Sequence, residues 1–331
     1  MSMPRLPGTV LITGASGFIG SRLREALLAS GSDVVAIRRA GSPEPSAGRS
    51  LVADYADLEA LTDIVATEKP DYVLHVAGVT KGRTYDDFQR GNVMPTRNLL
   101  GAVRAARPEL RRFVHVSSST SYGPSMPDAP LRETDPPRPI EFYGRSKLEA
   151  ERVFEEEAGP VAWTIVRPAG VYGPGDVDYY NLFKNAMRGW NVYFGNRGRW
   201  MSVIYVDDCI RSIVAAAANP STAGKGYFVA ADEPVTWEQF QDEIVEIIPR
   251  QVRTLDFPEA FVTMGAFAGE LATLFDSKPR LLNRQKAKMG AQQAWTYAVD
   301  AAKADFGFST AVDLQEGIRL THDWYTEQGW Y

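Results

Sequence analysis

Tyr143 and Lys147 lie four residues apart in the stretch 142-FYGRSKLEAE-151, which has the composition of a helix. Residues at this spacing occupy one face of an α-helix, one turn from each other. A phenol beside an ammonium group could exchange a proton with a reacting oxygen, because a nearby positive charge favours the phenolate. A surface pair without any chemistry would give the same stretch. The rest of the chain must therefore decide whether this pair belongs to a site.

The composition is that of an ordinary globular protein. Of the 331 residues, 44% are hydrophobic and 23% are charged, and the formal net charge is −5. The chain has neither a basic block that would predict nucleic-acid binding nor an apolar run of about 18 residues that would predict a membrane-spanning helix. Cys209 is the only cysteine and the three histidines are dispersed, so we expect no disulfide and no metal site. The N-terminus lacks a secretory signal pattern. We therefore expect a cytoplasmic protein with a small-molecule substrate.

Short apolar runs alternate with helical patterns over the first half of the chain. The predicted strands cover 9–13, 33–38, 50–53, 72–77, 113–118, 163–168 and 226–230, and the predicted helices cover 17–30, 57–68, 84–106 and 143–158. Strands that are apolar throughout are typical of a parallel sheet buried on both faces. The alternation predicts an α/β fold with a doubly wound parallel sheet of the Rossmann type.

The alternation ends near residue 175. Turns rich in proline and glycine follow, with helices predicted over 258–275 and 313–327, while 201–230 returns to a strand pattern. We predict two interleaved parts. The dinucleotide-binding domain covers 6–175 plus about 201–232. A smaller, mostly helical C-terminal substrate-binding subdomain covers 176–200 and about 233–331.

A glycine-rich loop joins the first predicted strand to the first predicted helix. Gly14 permits the tight turn, Gly17 lets the backbone approach a pyrophosphate, and Gly20 lets the helix pack close to the strand. The N-terminus of the helix offers free N–H groups and partial positive charge to the phosphates. The residues expected to contact the dinucleotide here are Gly14, Ser16, Gly17, Phe18, Ile19 and Gly20.

Arg38 and Arg39 end the second predicted strand, where NAD-binding proteins place an acid for the ribose 2′-hydroxyl. A guanidinium at this position suits a 2′-phosphate. The sequence therefore favours NADP(H), with NAD(H) possible, although both arginines could also be solvated loop charges. Asp54, after the third strand, could accept a hydrogen bond from the adenine amino group or could be an ordinary loop or helix-capping acid.

Together these residues resemble the extended branch of the short-chain dehydrogenase/reductase superfamily, the NAD-dependent epimerase/dehydratase-like family. The matching motifs lie in order along nearly the whole chain. They are TGASGFIG (13–20), HVAG (75–78), GNVMPTRNLL (91–100), SSSTSYG (117–123), YGRSK (143–147), RPAGVYGPGD (167–176), VIYVDD (203–208) and a closing helical stretch over 314–330.

The resemblance implies a catalytic role for the pair. Tyr143 would exchange a proton with the substrate, and Lys147 would lower the pKa of the phenol and hold the nicotinamide ribose. Moving that pKa from near 10 to about 7 takes roughly 4 kcal/mol of differential stabilisation. Asn92 would support Lys147 through a helix distortion and a water molecule.

The resemblance also implies a hydroxyl group that holds the reacting oxygen. Ser118, the second serine of the SSxxxYG match, stands at the family's position for this group, and Ser119 is the second possibility. We otherwise expect Ser117 and Ser119 to cap the backbone at the end of a strand.

The implied function is that of an NAD(P)-dependent oxidoreductase, which transfers a hydride between nicotinamide and a carbonyl or hydroxyl of a small molecule. The intact Ser–Tyr–Lys set argues against a non-catalytic NADP-binding sensor. Related sugar dehydratases carry an Asp-Glu pair where this chain has Ser119 and Thr120. A nucleotide-sugar epimerase with bound NAD remains the alternative. Such enzymes usually place a diphosphate-binding arginine where this chain has Met201, two residues after Arg199.

The segments near the expected substrate cleft are apolar and aromatic. They contribute Tyr179, Tyr180, Phe183, Trp200, Phe261 and Phe267. A cleft of this kind favours a carbonyl or hydroxyl compound of low charge, because the charge of a diphosphate is expensive to desolvate. The resemblance further implies a homodimer, in which the helices over 84–106 and 143–158 pair across a two-fold axis.

Overall fold

A seven-stranded parallel sheet forms the centre of the protein, as the alternating pattern predicts. The computed structural model describes residues 3–45, 47–260 and 284–331. The strands of the large sheet are β1 (Thr9–Thr13), β2 (Asp33–Arg38), β3 (Arg49–Val52), β4 (Tyr72–His75), β5 (Arg112–Val116), β6 (Trp163–Pro168) and β11 (Lys225–Val229). Their spatial order is β3-β2-β1-β4-β5-β6-β11. The winding direction reverses between β1 and β4, which is where doubly wound sheets bind their ligands.

Helices cover both faces of the sheet and build the rest of the molecule. The described α-helices are α1 (Phe18–Ala29), α2 (Leu58–Glu68), α3 (Tyr85–Phe88), α4 (Met94–Ala106), α5 (Phe142–Glu157), α6 (Tyr180–Met187), α7 (Val206–Ala218), α8 (Trp237–Ile247), α9 (Arg284–Gly290), α10 (Asp300–Phe306) and α11 (Leu314–Glu327). Within the described ranges, none of them is long and apolar enough to cross a membrane.

Alternate residues of the same strands enter two separate hydrophobic cores. Val10 and Ile12 of β1 pack into one core, whereas Leu11 between them packs into the other. Val34 and Val35 of β2 divide in the same way. This arrangement explains why the strands are apolar at consecutive positions, since both faces of the sheet are buried.

Short strands pair outside the large sheet. They are β7 (Gly170–Tyr172), β8 (Trp190–Phe194), β9 (Trp200–Met201), β10 (Val203–Tyr205), β12 (Val235–Thr236), β13 (Arg253–Phe257) and β14 (Ala294–Trp295). β7 pairs with β10, β8 with β13, and β9 with both β12 and β14. The division into two interleaved parts stays a prediction. The helix expected over 258–275 lies, from residue 261 onward, outside the described residues.

The structure departs from the predicted elements where the chain approaches the site. β4 and β5 end two residues before the predicted ends at 77 and 118. The helix predicted over 84–106 is broken by a π-helical turn at Gln89–Val93. Such turns are rare and occur often at functional sites.

Candidate active site

The glycine loop has a geometry that other residues would not tolerate. Gly14 has a φ of +72°, and a Cβ there would lie 2.6 Å from the backbone nitrogen of Ala77. A Cβ on Gly20 would lie 2.1 Å from the carbonyl oxygen of Gly14. β1, the start of α1 and the end of β4 therefore meet at backbone distance.

The N-terminus of α1 fits a pyrophosphate. Gly17 is its N-cap and makes no side-chain capping hydrogen bond. Within the described residues, the first turn of α1 contains no acid that would repel an anion. Ser16 and Gly17 are exposed, while Phe18 and Ile19 pack partly against the core. Uncapped N–H groups with the partial positive charge of a helix end bind anionic groups. These residues can hold the phosphates of a dinucleotide.

Arg38 lies half-buried at the end of β2, and Arg39 is exposed beside it. The contacts of Arg38 are long. Its guanidinium lies 3.3 Å from the carbonyl oxygen of Ser42, 3.4 Å from Ser50 Oγ and 3.7 Å from a Glu44 carboxylate oxygen. Arg38 can therefore turn toward a ligand at small cost, because long contacts with exposed partners contribute little.

Asp54 is exposed after β3, and its carboxylate accepts a hydrogen bond from the backbone N–H of Ala56 at 2.9 Å. Asp57, and not Asp54, caps α2. The helix-capping alternative for Asp54 is therefore wrong, and its role toward adenine stays a prediction.

Tyr143 and Lys147 lie on successive turns of α5, as their spacing predicts. The Lys147 Nζ lies 6.0 Å from the centre of the Tyr143 ring and donates a hydrogen bond to the carbonyl of Val116 at 2.9 Å. Lys147 is 4% exposed. The pair thus stands where the N-terminal half of α5 meets the end of β5.

Burial dominates the protonation of both groups. It raises the pKa of Tyr143 above its ordinary value, and the hydrogen bond with Ser118 opposes this rise only in part. Burial also lowers the pKa of Lys147 to about 8, against the attraction of Glu151. The expected lowering of the phenol pKa is therefore wrong for this state, because burial is the largest influence on Tyr143. At neutral pH Tyr143 is a protonated phenol, the form that can donate a proton to a carbonyl oxygen.

Ser118 is the serine of the 117–119 run whose hydroxyl acts on the Tyr143 phenol and favours a lower pKa there. It follows the end of β5, and its Oγ lies 3.0 Å from Thr120 Oγ1. The same Oγ accepts the backbone N–H of Thr120 at 3.3 Å and so begins a short 3₁₀ turn. Ser118 therefore stands within reach of both the phenol and the neighbouring cavity.

The expected backbone capping by the other two serines is wrong. Ser117 is buried and its Oγ donates to a carboxylate oxygen of Glu151. Ser119 hydrogen-bonds Tyr297, a residue 178 positions later in the chain that its local sequence does not reveal. Both hydroxyls bind side chains because the chain turns inward after β5 and not toward solvent.

Asn92 lies in the π-helical turn and is 1% exposed. Its side chain holds the backbone of Val79, accepting from the N–H at 2.7 Å and donating to the carbonyl at 3.1 Å. It also donates to Ser146 Oγ at 2.8 Å. The expected helix distortion is present, and the side chain contacts the residue before Lys147 and the loop after β4.

A cavity of about 860 Å³ opens beside the catalytic candidates. Ser119 and Thr120 line the end nearest Ser118. Six aromatic residues from distant parts of the chain also line the cavity. They are Tyr179, Phe194, Trp200, Trp237, Trp295 and Tyr297. A volume and lining of this kind suit a mostly apolar small molecule.

The predicted cleft residues are partly right. Tyr179 and Trp200 line the cavity. Tyr180 instead packs 5.1 Å from Tyr325, and Phe183 is fully buried in the core beside the same ring. The helical period of α6 turns these two side chains away from the cavity. Phe261 and Phe267 lie outside the described residues.

Arg199 is the arginine that reaches the cavity wall, and Met201 lines it as well. The guanidinium of Arg199 forms an ion pair with Glu259 at 2.6 Å. Gly195, with a φ of +75°, leaves room for this pair, since a Cβ there would lie 3.2 Å from both charged groups. The charge of Arg199 is thus already neutralised by a carboxylate of the same chain.

The described part of the chain contains no group of three or more side chains that could hold a metal ion. His75 and His115 are buried in adjacent strands, and burial lowers the pKa of His75 to about 3 and that of His115 well below its ordinary value. Both are neutral at physiological pH.

Comparisons with known proteins agree with this geometry. A model of the NAD dependent epimerase/dehydratase family matches residues 10–230. A 2-alkyl-3-oxoalkanoate reductase of Stenotrophomonas maltophilia is 28% identical over 94% of this chain and 97% of its own length. A ceramide reductase of Caulobacter vibrioides is 28% identical over 98% of this chain and 96% of its own length.

Solved structures share the fold. MoeE5, in complex with UDP-glucuronic acid and NAD, has a TM-score of 0.78 and 26% identity over 97% of this chain and 100% of its own. A UDP-glucose 4-epimerase of Thermotoga maritima, solved with UDP-glucose, has a TM-score of 0.79 at 22% identity, covering 97% of this chain and 99% of its own. The chain belongs to the NAD dependent epimerase/dehydratase family, and it is an NAD(P)-dependent oxidoreductase of the extended short-chain dehydrogenase/reductase type.

Proposed function

We propose that the protein reduces the ketone or aldehyde group of a mostly apolar small molecule with NADPH. The observation that carries this proposal is the aromatic cavity beside Ser118 and Tyr143, in which Arg199 is already paired with a carboxylate and the other basic residue of the described wall, Lys288, is exposed. Burial of apolar surface at about 25 cal/mol per Å² would drive binding. A diphosphate would have to displace Glu259 or share Arg199 with it.

The named relatives support the same substrate class. Besides the two reductases above, a 4-hydroxy-2-methyl-3-oxo-4-farnesyl-3,4-dihydroquinoline-1-oxide ketoreductase of Stigmatella aurantiaca is 27% identical over 93% of this chain. The names of these relatives describe reductases, and several name substrates with long apolar parts. An epimerase is favoured by the solved nucleotide-sugar complexes, which are 26% and 22% identical to this chain, slightly less than the two reductases at 28%.

We propose a role for each catalytic candidate. When bound, the reduced dinucleotide supplies the hydride to the carbonyl carbon. Ser118 donates a hydrogen bond to the carbonyl oxygen, and Tyr143, protonated at neutral pH, transfers its proton to that oxygen as negative charge develops there. Lys147 holds the nicotinamide ribose and stabilises the phenolate that remains. Asn92 keeps the loop after β4 and Ser146 in place beside Lys147.

We propose that the glycine loop, Arg38 and Asp54 bind the adenosine half of the cofactor. Gly14, Gly17 and Gly20 give the pyrophosphate access to the N-terminus of α1. Arg38 at the end of β2 favours NADP(H) over NAD(H), since β2 ends in arginine and not in an acid.

A substrate panel tests the proposed chemistry. We expect that oxidation of NADPH, followed by its absorbance, proceeds with at least one hydrophobic ketone or aldehyde. We also expect calorimetry to show that UDP, GDP and dTDP bind weakly, with Kd above roughly 0.1 mM, or about −5.5 kcal/mol. Glu259→Gln is the matched control, because it leaves the cavity shape and removes the charge that neutralises Arg199. Micromolar binding of any of these nucleotides to the wild-type protein would overturn the proposal in favour of an epimerase.

We propose a homodimer built from α4 and α5, each pairing with its copy in the partner. The outer faces of these helices carry charges of both signs, such as Arg97 and Glu157, which form an ion pair at 2.8 Å. Faces with both charges can complement themselves across a two-fold axis. We expect light scattering at micromolar concentration to give twice the mass of the chain, 36.5 kDa. A monomer mass in both the free and the NADPH-bound protein would rule out this assembly.

A further inference from the structure

Glu151 follows Lys147 by one turn of α5 and has no part in the reaction described above. Tyr143, Lys147 and Glu151 occupy every fourth position of the helix and share one face. The side chain of Glu151 is 1% exposed. A carboxylate is almost never buried to this degree unless it is paired.

The Glu151 carboxylate joins α5 to two strands of the sheet. One oxygen accepts hydrogen bonds from Arg167 Nε at 3.0 Å and Nη2 at 2.9 Å. The other oxygen accepts the hydroxyl of Ser117. Arg167 belongs to β6 and is itself buried, with its guanidinium 4.7 Å from the centre of the Tyr122 ring. The carboxylate is thus held from both sides in a defined orientation.

The contact with Ser117 sets the position of the residues that reach the catalytic pair. Residues 116–118 meet α5 in succession: the carbonyl of 116 accepts from Lys147, the hydroxyl of 117 donates to Glu151, and that of 118 bonds Tyr143. The middle contact is buried and ties the chain to the helix. A shift there would move both neighbouring contacts.

The charges around Lys147 single out Glu151. His75 from β4 and His115 from β5 also lie near Lys147, but both are neutral at physiological pH because burial lowers their pKa. Arg167 from β6 is bonded to the Glu151 carboxylate. Glu151 is the group whose charge opposes the loss of the Lys147 proton.

We propose that Glu151 is a positioning residue for the reductase site: it holds residues 116–118 against α5 and supplies the negative charge that keeps Lys147 protonated. The inference rests on the proposed function of Lys147 in binding the cofactor and assisting Tyr143. The competing role, that of a purely structural partner for Arg167, predicts a loss of stability without a change in titration.

Glu151→Gln removes the negative charge and keeps the contact with Ser117, because the amide oxygen can still accept a hydrogen bond from the Ser117 hydroxyl. The negative charge of Glu151 opposes the loss of the Lys147 proton. Without that charge the pKa of Lys147 falls further, so the ammonium group loses its proton at a lower pH. Activity and NADPH affinity that depend on protonated Lys147 are present below its pKa and are lost as the pH rises through it. We therefore expect this alkaline loss in Glu151→Gln to begin about one pH unit lower than in the wild type. NADPH binding followed by fluorescence needs no substrate, so it tests the inference even when no ketone is reduced.

Glu151→Gln leaves Arg167 buried without its partner, so this variant can fail to fold. The double variant Glu151→Gln/Arg167→Gln removes both charges and keeps two groups that can bond each other. We expect it to show a shift in the same direction. Ser117→Ala keeps the charge and removes the contact, so we expect it to lower kcat several-fold with the alkaline loss at the wild-type pH. A folded double variant whose pH profiles for NADPH binding superimpose on those of the wild type would overturn the inference.

Discussion

Tyr143→Phe is expected to lower the turnover of a ketone substrate by about 10²- to 10⁴-fold, the range in which general acid–base catalysis contributes. The substitution keeps the aromatic ring and removes only the hydroxyl that bonds Ser118. NADPH should therefore bind with nearly unchanged affinity, and the loss should appear in kcat. Steady-state kinetics at neutral pH, together with fluorescence titration of NADPH, measure the two quantities separately.

Tyr85→Phe is the matched control for this experiment. Tyr85 is a neighbour of the N-terminal turn of α5, with its ring 5.7 Å from that of Phe142, and its hydroxyl donates to Glu149 at 2.6 Å. The substitution removes a tyrosine hydroxyl near the site and leaves the proposed proton donor, Tyr143, unchanged. We expect kcat to stay within a few-fold of the wild type, as for most substitutions outside a site. Substantial activity of Tyr143→Phe on an established substrate would show that another group donates the proton.

The residues that determine the large parallel sheet could be predicted because their signals are local. A strand buried on both faces must be apolar along its length, and β1, β2 and β6 coincide with their predicted ranges. The signal of the glycine loop is equally local. A side chain at Gly14 or Gly20 would collide with backbone atoms of the same turn or of the segment after the adjacent strand. The spacing of Tyr143 and Lys147 likewise follows from the period of a single helix.

The walls of the cavity could not be predicted in this way. Tyr297 meets Ser119, and Glu259 meets Arg199, through folding that brings distant segments together. The residue pattern of either segment alone does not predict such a contact. The protonation of Tyr143 was missed for a related reason. A nearby ammonium group can be predicted from the sequence, whereas the desolvation that raises the pKa of Tyr143 depends on the packed surroundings.

The proposed preference for NADP(H) rests on the end of one strand. β2 ends in Arg38, whose side-chain contacts with Ser42, Ser50 and Glu44 are all 3.3 Å or longer. Such contacts hold the guanidinium at the end of β2 without using its full hydrogen-bonding capacity. A 2′-phosphate offers shorter, charge-assisted bonds to the same group. NAD(H), which has a hydroxyl there, offers no comparable gain.

Arg38→Ala is therefore expected to weaken NADP(H) binding by roughly 10- to 100-fold, the effect of losing one charge-assisted contact of about 1.5–3 kcal/mol. NAD(H) affinity should remain nearly the same, so the ratio of the two dissociation constants is the decisive quantity. Arg49→Ala is a matched control, because it removes a nearby positive charge that is exposed on β3 and paired with Asp33 and Glu68. Arg39→Ala shows whether the second arginine shares the phosphate. A wild-type protein that binds NAD more tightly than NADP, or an Arg38→Ala variant that weakens both equally, would contradict the assignment of Arg38 to the 2′-phosphate.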